Sequence, residues 1–179
     1  MNVCLRAWRD EDAPALVAAR WSNTDLDSQF GEVELTTETQ AREFIAKRLA
    51  CHDTAKNWAI VENGRAVGNV GLGAFNLRHG TAWAHYWLAH NARGRGYATG
   101  ALTVAANWAF DNDLFRLELG HRVNNPASCR VARGAGFLIE GIERQKLRYG
   151  DERFDVEIHA RLASDPEPKT ARTDIFFEN

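Results

Sequence analysis

Between Arg93 and Thr99 the chain reads Arg-Gly-Arg-Gly-Tyr-Ala-Thr, the stretch best equipped for chemistry. An apolar, aromatic run from Trp83 to Leu88 precedes it and reads as a buried strand. Behind it Leu102, Ala105, Ala106, Ala109 and Phe110 recur at helical steps. A strand, a glycine–arginine turn and a helix start together suit a phosphate. The first amides of a helix have no intrahelical partner, and the helix dipole adds positive potential there. Spacing selects among phosphate loops. A P-loop ends in Lys-Ser/Thr, but this one ends Tyr97-Ala98-Thr99. A dinucleotide fingerprint wants a third glycine where Thr99 stands, and its ribose-binding acid would fall near Phe115 to Glu118. What remains is Arg93-x-x-Gly96-x-Ala98, with Gly94 and Arg95 inside it.

Two further places carry reactive groups. Asn125-Pro126-Ala127-Ser128 opens a helix, with Asn125 as cap and Pro126 at the first position. His85 lies two residues after Trp83, on the same strand face, and imidazole has the pKa of a general base. Glu118 and Glu32 are alternative bases, and so is water.

The elements around these groups follow in order. Val3–Trp8 alternates as a strand, and Asp10–Trp21 is helical, with Asp10 or Asp12 as cap. Ser22–Glu34 is a long polar loop. Thr37 and Gln40 form a capping box ahead of a helix ending near Cys51. Trp58–Glu62 and Ala66–Phe75 are strands joined by an Asn63-Gly64 hairpin turn, and Gly68, Gly71 and Gly73 mark bulges or close packing. Phe115–Val123 is a strand, and Phe137–Tyr149 with Arg153–Leu162 form a final hairpin. One domain is expected over 1–163, with 164–179 as a tail whose Ile175, Phe176 and Phe177 can dock.

The chain has 179 residues, enough to bury roughly 70% of its unfolded surface. The net charge of -2 gives no bulk attraction to nucleic acid or membrane. Three scattered cysteines and six histidines show no metal or disulfide spacing, so no metal is expected and the setting is a reducing cytoplasm. Charged residues from Arg6 to Asp12 break any early apolar run, so neither a leader nor a membrane span is expected.

Arg93-x-x-Gly96-x-Ala98 resembles the pyrophosphate loop of the GNAT acyltransferases, which bind acyl-coenzyme A. Asn125-x-x-Ser128-x-x-Val131-Ala132, followed by Ala135-Gly136-Phe137, looks like the C-terminal signature of the ribosomal-protein N-terminal acetyltransferase branch (RimJ/RimL-type). The element order matches that of the family. The resemblance implies an α/β (α+β) GNAT fold: a mixed, mostly antiparallel, six- to seven-stranded sheet, helices on both faces, and one parallel strand pair splayed apart. It implies that Trp87, Leu88 and Ala89 pair with the pantetheine arm. Amides from Gly94 to Ala98 would hold the pyrophosphate, with Arg93, Arg95 and Thr99 assisting. Asn125 would face the arm, and Ser128 would protonate the departing thiolate. Arg130 and Arg133 would meet the nucleotide end or lie in solvent. The glutamate that many relatives carry early in the fourth strand is missing from Ala82-Trp83-Ala84. The implied activity is direct transfer of acetyl from acetyl-coenzyme A to a primary amine, of a protein N-terminus or a small molecule. The alternatives are a longer donor such as succinyl-coenzyme A, or a non-catalytic acyl-coenzyme A sensor. Asp25, Asp27, Glu32 and Glu34 would attract a cationic amine, and Trp21, Phe30 and Trp83 would line its pocket or fill core. A homodimer would cover the apolar tail and edge strands.

Overall fold

The computed structural model describes residues 2–22, 24–26, 30–31, 33–169 and 174–178. Its strands are β1 (Val3–Arg6), β2 (Lys56–Glu62), β3 (Arg65–Asn76), β4 (Thr81–Leu88), β5 (Arg116–Arg122), β6 (Leu138–Tyr149), β7 (Glu152–Leu162) and β8 (Ile175–Phe177). Its α-helices are α1 (Ala13–Arg20), α2 (Glu38–Phe44), α3 (Tyr97–Asp111) and α4 (Pro126–Gly134). The strands form one sheet in the order β6-β7-β5-β4-β3-β2-β1-β8. Only β4–β5 and β1–β8 are parallel. The sheet therefore has eight strands, where the sequence suggested six or seven. The extra one comes from the expected tail: Ile175 to Phe177 pair with Val3 to Leu5 and cover the β1 edge.

Period-two alternation splits the strand side chains between two cores. On one face Val3, Leu5, Ile60, Val70, Leu72, Ala84, Leu117 and Leu119 pack against the Ala101–Leu102–Ala105–Ala109 stripe of α3 and Ala132 of α4. On the other face Cys4, Ala59, Val61 and Trp87 pack against Leu16 of α1 and Ala41 of α2.

Local signals formed as read. Asn63 and Gly64 take φ of 49° and 83°, as a hairpin of this type requires. The Thr37 hydroxyl accepts from the Gln40 amide, and Gln40 Oε1 accepts from the Thr37 amide. One cap differs. Asp12 makes no side-chain cap to α1. Its buried carboxylate instead caps the 3-10 turn just before α1, accepting from the Arg9 amide at 2.9 Å, and takes two hydrogen bonds from Arg6, at 2.6 and 2.8 Å. Helix α2 ends at Phe44, and Ile45–Leu49 continue in the wider π geometry. Among the described residues no helix is long and apolar enough to cross a membrane.

Candidate active site

Strands β4 and β5 pair over only three residues, Thr81–Arg116, Ala82–Leu117 and Trp83–Glu118. Beyond them β4 continues against β3 and β5 against β7, so the two part. The Ala89 amide donates to Val67 across β3. By ladder alternation Trp87 and His85 also bond toward β3, while Tyr86 and Leu88 turn their backbone toward the opening. Of the expected trio Trp87, Leu88 and Ala89, only Leu88 therefore faces the gap, and Tyr86 joins it.

The glycine turn closes one end of this opening. Gly94 and Gly96 have φ of 74° and 78°, a region L side chains rarely adopt. Gly96 is the N-cap of α3 and brings no side chain to satisfy the first-turn amides, nor is there an acidic residue in that turn. The first-turn amides of such a helix start point toward the opening, where an anion can accept from them.

The side chains of the turn are already engaged. Arg93 donates to the Leu88 carbonyl at 3.1 Å and to Asp25 at 2.6 Å. Burial raises the Asp25 carboxyl, but hydrogen bonds from Arg93 and the backbone, with the charges of Arg93 and Arg122, together hold it below its ordinary value. Asp25 thus serves the turn. Arg95 forks onto Glu62 at the end of β2, and its guanidinium lies 4.7 Å from the Tyr97 ring centroid. Tyr97 is wholly buried and donates its hydroxyl to Glu62. Arg95 remains partly exposed while engaged by Glu62, and Tyr97 can reach a cofactor only through its backbone. Ala98 is buried. Thr99 packs on α4, since a Cβ at Gly134 would lie 2.9 Å from its methyl.

Across the opening, Asn125 Oδ1 accepts from the Ser128 amide at 3.1 Å, with Pro126 in the first turn, so the cap is formed. The Tyr86 hydroxyl spans from β4 to the Ser128 carbonyl at 3.4 Å. Burial pushes the Tyr86 phenol up to about 12, with the Ser128 hydrogen bond opposing in part. Tyr86 was hidden in an apolar run; its one sequence signal was its place on the strand face opposite His85. Arg130 and Arg133 are exposed on α4.

Behind β4, on the α1/α2 face, lies a cavity of about 380 Å³. Phe30, Val33, Phe44, Leu49 and Trp87 wall it, and Asn57, Asn69, His85 and Arg48 supply polar groups. Phe30 packs on Trp87 and Phe44 with centroids 5.0 and 5.5 Å apart. The polar floor is a directed chain. The indole of Trp8 can only donate, and it bonds Asn69 Oδ1 at 2.8 Å. Asn69 Nδ2 then donates to Asn57 Oδ1 at 3.3 Å, and Asn57 Nδ2 donates to the Arg48 carbonyl at 3.3 Å. His85 Nε2 lies 3.0 Å from the same Asn57 Oδ1 and must donate to it. The neutral ring therefore keeps its lone pair on Nδ1. Burial lowers the His85 pKa and favours this neutral form. Gly71 makes room for the chain: a Cβ there would lie 2.4 Å from Asn57 Oδ1 and 2.6 Å from His85 Nε2.

Other expected site residues lie elsewhere. Glu118 is ion-paired with Arg116 at 2.7 Å, and Arg116 also grips Glu140. Trp83 lies under the Lys146 ammonium, and Trp21 is exposed, its indole donating to the Leu35 carbonyl. Asp27 and Glu32 lie outside the described residues, and Glu34 is exposed. The acidic lining anticipated from this loop is absent from the described cavity wall.

A parted parallel strand pair, an uncapped helix start at its end and a histidine pocket behind it are the layout of a group-transfer enzyme. The family model described as "Acetyltransferase (GNAT) domain" matches residues 2–138. A probable N-acetyltransferase of Bacillus subtilis (strain 168), YjcK, is 34% identical, over 93% of this chain and 97% of its own. The ribosomal-protein-serine acetyltransferase of Escherichia coli (strain K12) is 28% identical over 70% of this chain and 72% of its own. A solved RimL, a ribosomal L7/L12 alpha-N-protein acetyltransferase in complex with coenzyme A, superposes with a TM-score of 0.76 at 25% identity, covering 88% of this chain and 92% of that one. The chain belongs to the GNAT acetyltransferase family and is a transferase of that fold.

Proposed function

We propose that the protein moves acetyl from acetyl-coenzyme A directly to a primary amine. The observation that carries this is the opening between β4 and β5, with the Gly96 helix start, which has no side-chain cap, at its end. The diphosphate sits on the amides of Gly94 to Thr99, and the pantetheine arm bonds the backbone of Tyr86 and Leu88. Arg93 keeps the Leu88 carbonyl in place, and the diphosphate competes with Asp25 for its guanidinium. Asn125 holds the first turn of α4 so that Ser128 faces the sulfur.

The amine arrives from the cavity on the other side of β4. It needs a neutral nitrogen, a polarised carbonyl and a proton for the leaving thiolate. His85 Nδ1, with its tautomer fixed by Asn57, takes the amine proton. The Leu88 amide polarises the thioester carbonyl. Ser128, or the Tyr86 phenol beside it, returns a proton to sulfur. The described wall holds Arg48 and no carboxylate, which disfavours a polycation and suits a single amine on an apolar body, such as a peptide N-terminus.

The test follows free thiol after mixing acetyl-coenzyme A with panels of N-terminal peptides and small amines. Thiol release with a peptide or monoamine, and none with polyamines, is expected. No release with any amine, from protein that binds coenzyme A, would overturn the reading and leave only a sensor.

A further inference from the structure

A second polar cluster lies under α4, and the transfer chemistry does not use it. His121 of β5, Cys129 of α4, and Glu157 and His159 of β7 bring four ligand atoms within 4.8 Å of one another. The sheet register explains it: His121 pairs with Glu157 and Leu119 with His159, so these side chains share one face. Cys129 descends onto them from the first turns of α4. His159 is wholly buried and His121 is 7% exposed.

The partners of the ring nitrogens constrain where the protons lie. His121 Nδ1 lies 3.0 Å from the Arg122 carbonyl, and His159 Nδ1 lies 3.4 Å from the Phe137 carbonyl. The short contact to a carbonyl, which can only accept, puts the His121 proton on Nδ1 and its lone pair on Nε2, whereas the neutral His159 ring can carry its proton on Nδ1, against Phe137, or on Nε2, against Glu157. Yet the two Nε2 atoms face each other at 3.0 Å. Glu157 Oε1 is 2.9 Å from one and 3.4 Å from the other. Three ligand atoms, two on buried imidazoles and one on the partly exposed Glu157 carboxylate, converge on one point, where a proton or a metal cation can sit between them. Backbone carbonyls behind both imidazoles are also the usual outer support of metal-bound histidines. Tetrahedral ligands at about 2.0–2.1 Å from a metal are themselves roughly 3.3 Å apart, close to the spacing here.

We propose that His121, Cys129, Glu157 and His159 bind a divalent transition-metal ion, Zn2+ foremost, in a closed structural site that pins the start of α4 to β5 and β7. Two imidazoles, a thiolate and a carboxylate suit borderline metals, whereas Mg2+ and Ca2+ prefer all-oxygen shells. Four protein ligands leave no open position, as in structural rather than catalytic sites. On binding, the metal takes the Nε2 lone pairs, the carboxylate oxygen and the sulfur. The thiol proton and any proton shared between the imidazoles leave to solvent. Without the metal, burial and then the neighbouring Glu157 hold the Cys129 thiol above its ordinary pKa. The four residues are spread over three elements, so no ligand spacing betrays them in the sequence, where no metal was expected.

The test strips the whole chain with chelator and titrates it with Zn2+, Co2+ or Mg2+ alone. Uptake of one Zn2+ per chain and a raised melting temperature are expected, with Mg2+ inert. Co2+ should give a thiolate-to-metal absorption band that Cys129→Ser abolishes. His121→Asn and His159→Asn should each weaken Zn2+ binding by more than about tenfold. If a histidine variant fails to fold, Cys129→Ser, altered on a partly exposed helix face, still reads the site. No stoichiometric uptake, or uptake that Cys129→Ser and His121→Asn leave unchanged, would overturn the proposal.

Discussion

The glycine turn and the histidine pocket lie on opposite sides of strand β4 and are built in opposite ways. The turn is seven contiguous residues, shaped by two left-handed glycines so that backbone amides do the binding. The pocket is assembled from β2, β3, β4, α2 and the loop before it, and its working groups are side chains that fix one another's protons. A site made of backbone depends on a few glycines at set spacing. A site made of side chains depends on register between strands far apart in the chain. The two should also fail separately: damage to the turn should cost cofactor affinity, and damage to the pocket should cost turnover.

The largest separation is expected from His85→Gln. Removing a positioned base typically costs 10²–10⁴-fold. We expect kcat to fall about 100-fold or more with coenzyme A affinity unchanged, read by steady-state kinetics beside calorimetry. The pH dependence sharpens this. Burial lowers the His85 pKa below its ordinary value of about 6.5, so the base stays neutral above that pH. The ratio of wild-type to His85→Gln rates, in which the amine's own titration cancels, should be flat above about pH 6.5 and decline only below it. The stability contribution has the same sign. The unfolded chain binds the proton more readily, so stability present above about pH 6.5 is lost as the pH falls toward the folded-state value.

Gly71→Ala comes next. Its methyl would collide with the Asn57–His85 hydrogen bond. A fall in kcat of about tenfold or more without loss of coenzyme A binding is expected. If cofactor binding fell equally, the two regions would not be independent. Gly96→Ala should do the reverse. A left-handed alanine costs about 1–2 kcal/mol, so coenzyme A affinity should drop about 5–30-fold, while kcat at saturation stays near wild type. The smallest effect is expected from Asn125→Ala, which removes the α4 cap. About 1 kcal/mol of stability should be lost, seen as a fall of about 2–4 °C in Tm.

The same contrast explains what was readable in the sequence. The Asn63-Gly64 hairpin, the Thr37–Gln40 box, the Asn125–Pro126 helix start and the Arg93–Thr99 turn are local, and each was legible. So was the family, because its motifs lie in such segments. Residues whose partners are distant were not. Asp12 read as a cap to the helix, but it caps the 3-10 turn before α1 and also holds Arg6; Arg95 read as assisting the pyrophosphate, but its guanidinium is engaged by Glu62. Asn57, just before the strand read from Trp58, and Asn69, inside the next, carried no signal, although Asn57 sets the His85 tautomer and Asn69 braces it. Ile175–Phe177 read as a tail because three residues make a weak strand signal, and only the open edge of β1 gives them a place.

The measurement that bears most directly on the central claim is a calorimetric titration of coenzyme A into the folded protein at neutral pH, repeated with Gly96→Ala and His85→Gln. One molecule should bind per chain, weakened about 5–30-fold by Gly96→Ala and untouched by His85→Gln. Absence of binding, or binding weakened by His85→Gln and indifferent to Gly96→Ala, would contradict a carrier seated on the helix-start amides.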